Sequence, residues 1–159
     1  MSQREPDHRV TTFIERLGHL DTGELARLKR SAGQSLAEAR GTLGLFYRLL
    51  PPGVPPGQEE DYFLLATLYP LAEAGGPDDL GSSLRHARTE RNARGLDRRV
   101  EILLDADTAQ LRFRLRQAIA FLQSNRVPVN WTRLLEDLLY WTHPDRFVQR
   151  RWARSYFAG

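Results

Sequence analysis

The sequence predicts an all-α protein, a compact bundle of eight or nine amphipathic helices. Three observations predict it. Apolar residues recur at helical spacing almost throughout, no stretch alternates with period two over a useful length, and the periodic segments are bounded by capping residues, prolines and glycines. With 159 residues, 41% hydrophobic and 27% charged, the chain can bury a core of its own. The expectation is one domain over residues 1–159, with two sub-bundles meeting near 51–58 or 75–95 as the alternative. There is no repeat at a fixed period.

Taken in order, Val10, Phe13, Ile14 and Leu17 mark the first amphipathic helix, and Leu25 and Leu28 mark a second from Thr22 towards Gly33. Ser35 with Glu38 has the form of a capping box. Behind it Leu36, Ala39, Leu43, Phe46, Tyr47 and Leu50 predict one helix running to Pro51-Pro52. The proline-rich run 51–57 reads as a stiff loop. Tyr62, Leu65, Ala66 and Tyr69 predict a helix that Pro70 kinks or ends, and Gly75-Gly76-Pro77 closes that region. Residues 81–95, polar and rich in Arg, read as a loop or short helix broken at Gly95. The helical period resumes at Leu96, Val100, Leu103 and Leu104. Asp107 with Gln110 forms a second capping box before Leu111, Leu115, Ala118, Ile119 and Leu122. Asn130 caps a helix expected to be buried through Trp131, Leu134, Leu135, Leu138 and Leu139. Pro144 is placed as the first residue of a last helix carrying Phe147, Val148, Trp152 and Tyr156.

Charge is unevenly distributed. Residues 1–50 carry +2, residues 51–84 carry −6 with no Lys or Arg, and residues 85–159 carry +7, for a net +3. Such a basic C-terminal half suits an anionic partner. All but one of the 23 basic residues are Arg. Arg is the better fork for phosphate, but a GC-rich coding sequence produces the same bias, so position has to decide. Arg146, Arg150 and Arg154 repeat every four residues opposite the apolar stripe of the last helix. Each step rises about 6 Å, a pitch a phosphate chain can follow. Arg112 and Arg116 repeat the arrangement, Lys29 and Arg30 end the second helix, and Arg98 and Arg99 stand off the apolar face of theirs. These nine are the candidate nucleic-acid contacts. Phe46, Tyr47, Trp131, Trp141 and Trp152 fall on or beside apolar stripes and are expected in the core. The expected contact is therefore with the backbone rather than with splayed bases.

Other chemistries find little support. Cysteine is absent and the four histidines are scattered, so no thiolate or His-pair metal site is expected. Asp105 and Asp107 could hold a divalent ion, but Asp107 is already assigned to a helix cap. There is no phosphate-binding glycine loop and no nucleophile elbow. The expectation is a protein with no catalytic site, cofactor or metal. His143-Pro144-Asp145 matches the J-domain tripeptide, but the helix before it is apolar and acidic where a J-domain's is basic. A helix-turn-helix would present Glu136 and Asp137 to the groove, where they would repel phosphate. No apolar run reaches the roughly 18 residues of a membrane span, and Met1 to Pro6 is polar with no secretory signal, so a cytoplasmic protein is expected.

Several segments together resemble the CasB family, the small subunits of the type I-E CRISPR surveillance complex Cascade. They are Gly23–Ser31, Phe46–Leu50, Asp61–Tyr69, Leu80–Leu84, Arg98–Leu104, Leu111–Ala118, Val127–Leu135 and Val148–Arg154, in that order, within residues 22–157. The resemblance implies an all-α subunit that binds nucleic acid without sequence preference. It implies partners: guide RNA, the target and displaced DNA strands, other Cascade subunits, and a second copy stacked head to tail. It implies no catalytic activity. Lys29, Arg30, Arg112 and Arg116 carry over most directly; Arg98, Arg99 and Arg146 match less closely. A spacer subunit touching only protein neighbours is the alternative.

Overall fold

Most helices in this chain start on a carboxylate or an amide. The computed structural model describes residues 7–159, so the reading of Met1 to Pro6 lies outside the described residues. Asp7 accepts from the Arg9 amide to start α1 (His8–Gly18), and Asp21 with Glu24 forms a full capping box for α2 (Thr22–Arg30). Asp79 caps α5 (Leu80–His86), Asp107 with Gln110 closes the expected box on α7 (Thr108–Ser124), and Asn130 caps α8 (Trp131–Leu139). Each satisfies an amide that the first turn cannot pair internally. The remaining helices are α3 (Leu43–Leu49), α4 (Glu59–Leu68), α6 (Ala93–Leu104) and α9 (Phe147–Phe157). The all-α expectation holds. Among the described residues the sole β-type pairing is one isolated bridge, Ala74 with Val129.

α4 is the axis of the fold. Tyr62 to Leu68 are all buried, so this helix is apolar on every side, as a helix wrapped by others must be. It packs against α2, α7 and α8. Phe13, Phe46, Tyr62 and Phe63 meet edge to face around it, with centroids 5.0–6.3 Å apart. Asp61, at its first turn, is raised to about 7 by burial, with Glu60 adding to the shift. Among the described residues, buried side chains from α1 to α9 join one contiguous cluster. No helix among the described residues is long and apolar enough to cross a membrane.

The C-terminal elements close most tightly. A Cβ on Gly81 would collide with the Trp152 carbonyl oxygen, so α5 and α9 can approach only because that position is glycine. Asp79, 1% exposed, accepts from Ser155 Oγ and Arg151. Arg151 also pairs with Asp137, which takes a second hydrogen bond from Trp152 Nε1 at 2.8 Å. Burial pushes the Asp137 carboxyl up against the pull of both donors.

Three sequence expectations are corrected here. The helix expected from Ser35 to Leu50 is α3 alone, Leu43–Leu49. Ser35 and Glu38 do bond (2.8 and 2.9 Å), but within a single turn, and Gly41 at φ +75° ends continuity. The register shifts with it: Leu45, Phe46 and Leu49 are buried, while Leu43 and Tyr47 are 42% and 48% exposed. Gly95 does not break α6 but lies inside it. Pro144 is not the first helical residue. It sits in a turn in which the Arg146 amide donates to the His143 carbonyl at 3.0 Å, and α9 begins only at Phe147. Asp137, which a helix-turn-helix would have turned to a groove, is buried.

Candidate nucleic-acid interface

α7 is the longest helix, 17 residues, and contains no acid. Leu111, Leu115, Ile119 and Leu122 bury one side. Arg112 and Arg116 flank the exposed side, one turn apart, as their spacing predicts. The turn after α2 comes down beside them. Gly33 (φ +81°) lies so close that a Cβ there would be 3.4 Å from Arg116 Cδ and 3.6 Å from the Arg112 carbonyl oxygen. Its amide reaches Thr67 Oγ1 of α4 at 3.4 Å. Gly33 follows Arg30, the last residue of α2, by three positions, so the end of α2 that carries Lys29 and Arg30 leads into the face of α7 that carries Arg112 and Arg116. Cations at a helix C-terminus also suit the helix dipole.

Lys29, Arg30 and Arg116 are exposed and have no hydrogen-bond or ion-pair partner among the described residues. Arg112 is half-buried and held by Glu38 at 3.5 Å, a pair on open surface that a phosphate can displace. Neither local pattern placed Glu38 there. The turn that replaced the expected helix did.

α6 extends the basic surface. Arg98 and Arg99 are exposed, and the Arg99 guanidinium lies 5.6 Å from the centre of the Phe121 ring of α7, joining the two helices. Arg91 and Arg94, which sequence reasoning passed over, are also exposed and without a partner among the described residues. Their signal is the spacing Arg94 to Arg98, which crosses the end of the 81–95 segment read as a loop or short helix. Between α6 and α7 lies a cleft of about 40 Å³ lined by Leu96, Val100, Ile102 and Arg114 among others, far below the ~300 Å³ of a small-molecule pocket.

The ridge expected on α9 is incomplete. Arg146 lies outside the helical run, at its N-cap, in the left-handed region at φ +51°. Its guanidinium donates to the Leu104 carbonyl at 2.7 Å and pairs with Asp105 at 3.5 Å. Arg146 therefore fastens α9 to the end of α6. Only Arg150 and Arg154 remain exposed and unpartnered among the described residues, on a helix that packs mainly against α5 and α6.

The aromatic expectation holds for Phe46, Trp131, Trp141 and Trp152, all buried, and fails for Tyr47, whose hydroxyl donates to Glu59 at 2.8 Å on the surface. Phe113, not weighed in the sequence, is 56% exposed on α7. Asp105 and Asp107 do not converge on an ion: the first meets Arg146 and the second caps α7. No group of three potential metal ligands exists among the described residues.

The family profile of CRISPR-associated protein Cse2 matches residues 24–157. A CRISPR-associated protein Cse2 from Thermus thermophilus is 39% identical over 102 residues, 63% of this chain and 57% of that relative's length. Among solved structures, CasB from Thermus thermophilus is 29% identical with a TM-score of 0.80, covering 98% of this chain and 100% of that one. A chain of a CRISPR RNA-guided surveillance complex, 23% identical, shares the fold at a TM-score of 0.78 over 94% and 92% of the two chains. A profile that spans most of the chain, with the fold to match, places this protein in the CRISPR-associated Cse2 family, also called CasB.

Proposed function

We propose that this chain is a non-catalytic, cytoplasmic subunit of an RNA-guided surveillance complex that holds nucleic-acid backbones without reading their sequence. The observation that carries the proposal is that Gly33, three residues past the Lys29-Arg30 end of α2, lies against Arg112 and Arg116 on α7. We take these four cations as one surface, and α7 has no acid to oppose an incoming phosphate. Arg98 and Arg99 widen it through α6, and Arg150 and Arg154 give a second, smaller contact line on α9. Arg146 contributes through position rather than contact. Guide RNA and the target and displaced DNA strands are the ligands that suit such a surface. Exchanging a duplex for a guide–target hybrid is nearly balanced in free energy, so contacts to strand backbones can tip it. Other Cascade subunits and a second copy packed head to tail are the protein neighbours.

A salt series with single-stranded DNA and RNA of unrelated sequences tests this. Four phosphate contacts give a slope of log affinity on log salt of about −3 for single strands. Sequence should change affinity little. Strong sequence preference, or a flat salt response, overturns the reading.

The alternative, a spacer that touches only protein, has one observation in its favour. Leu43 and Tyr47 are exposed beside Glu59 and Glu60, an apolar and acidic surface that suits protein and not phosphate. It predicts negligible binding of nucleic acid by the free chain.

A further inference from the structure

We infer that Phe113 is a stacking platform for an unpaired base, which makes the α7 surface selective for single strands over duplex. This rests on the nucleic-acid reading above and specifies which form of nucleic acid the site takes.

A single exposed phenylalanine is ordinary on a protein surface. Its surroundings are not. Phe113 has the greatest exposure of the large hydrophobic side chains described, 56%. At about 100° per residue it falls opposite the buried stripe of Leu111, Leu115, Ile119 and Leu122. Arg112 and Arg116 stand on one flank and Arg114 on the other, its guanidinium 5.2 Å from the Phe113 ring centre. The rest of that face, Ala109, Gln117, Ala120 and Ser124, is small or uncharged and exposed.

An aromatic ring set among cations, on a helix with no acid, matches one kind of ligand. A single strand offers phosphates to the guanidinium groups while an unstacked base lies on the ring. In a duplex the bases are already stacked, so the ring gains nothing there. A protein partner able to neutralise these arginines would bring carboxylates, and Phe113 would then pack on side chains, which makes aliphatic replacements tolerable.

The test uses the full chain with a labelled single-stranded oligonucleotide, a duplex of equal length, and the same single strand with abasic sites. Phe113→Ala should weaken single-strand binding about tenfold and leave the duplex within about twofold. Phe113→Trp should keep full affinity, and Phe113→Leu should behave like Phe113→Ala. The abasic strand should bind the wild type as weakly as the intact strand binds Phe113→Ala. Equal losses on single strand and duplex overturn the inference, and so does full retention by Phe113→Leu. So does a loss of co-purification with partner subunits while oligonucleotide affinity stays unchanged, which would assign Phe113 to a protein contact. If the wild type binds single strands with a steep salt slope but Phe113→Ala is silent, only this inference fails. If the wild type binds none of the probes, both readings fail together.

Discussion

Helices α7 and α9 both carry arginines four residues apart in sequence, Arg112 and Arg116 on the first and Arg146, Arg150 and Arg154 around the second. On α7 the spacing survives folding. The helix is capped by its own Asp107–Gln110 box, buries one apolar stripe, and meets a single exposed carboxylate, Glu38. On α9 it does not. Arg146 is drawn off to the Leu104 carbonyl, and Arg151 is drawn inward to Asp79 and Asp137. Availability of a guanidinium is thus set by the carbonyls and carboxylates that other elements bring to it. Spacing along its own helix sets only the direction in which it starts.

The sharpest way to test this contrast is to remove an α9 arginine that is engaged. Arg151→Ala leaves Asp137 and Asp79 buried without their cation, and the expected loss of stability is about 3 kcal/mol. Chemical denaturation measures it. One contiguous core should make the transition single and cooperative. Single-strand affinity below the transition should not change, because the Arg151 guanidinium is taken up by Asp79 and Asp137.

Next in size is the converse change. Reversing Arg112 and Arg116 together to Glu should leave the denaturation midpoint nearly unmoved while weakening single-strand binding about 30-fold, or ~2 kcal/mol. The same reversal at Arg150 and Arg154 should weaken binding only about fivefold, since Arg85, which α5 brings to α9, is engaged by the Tyr156 carbonyl. If the two pairs prove equal in binding measurements, the asymmetry drawn between α7 and α9 is wrong.

This contrast also explains what was legible in the sequence. Elements whose ends are fixed locally were read correctly: the Asp107–Gln110 box, the Asn130 cap and the stop at Pro70 all act within one turn. The α7 candidates Arg112 and Arg116 followed from that register. Failures occur where distant groups decide. Ser35 and Glu38 bond as a capping box does, but Gly41 turns the chain and Glu38 turns to Arg112, so no helix follows them. Arg146 fell outside the helical run because the turn at Pro144 places it in the left-handed region. Phe113 gives no signal of this kind, since it lies off the apolar stripe of its helix. Its value lies in that placement.

The smallest effect expected concerns α9's other anchor and depends on pH. Tyr156 donates to Asp97 at 2.5 Å, and Arg88 binds the same carboxylate through two bonds, at 2.9 and 3.1 Å. The Arg88 guanidinium first, and the Tyr156 hydroxyl second, lower the Asp97 pKa from 3.8 to about 2. A carboxylate depressed in the folded state stabilises the fold only while ionised. Its contribution is complete above about pH 4 and is lost as pH falls through the folded value near 2. Asp97→Asn should therefore lower the melting temperature slightly at neutral pH, and the gap to wild type should close between pH 4 and pH 2. A gap that stays constant over that range would mean the asparagine loses packing rather than charge. The loop 87–92 would then be fastened to α9 by shape, and α9 would owe less to its carboxylates than its comparison with α7 requires.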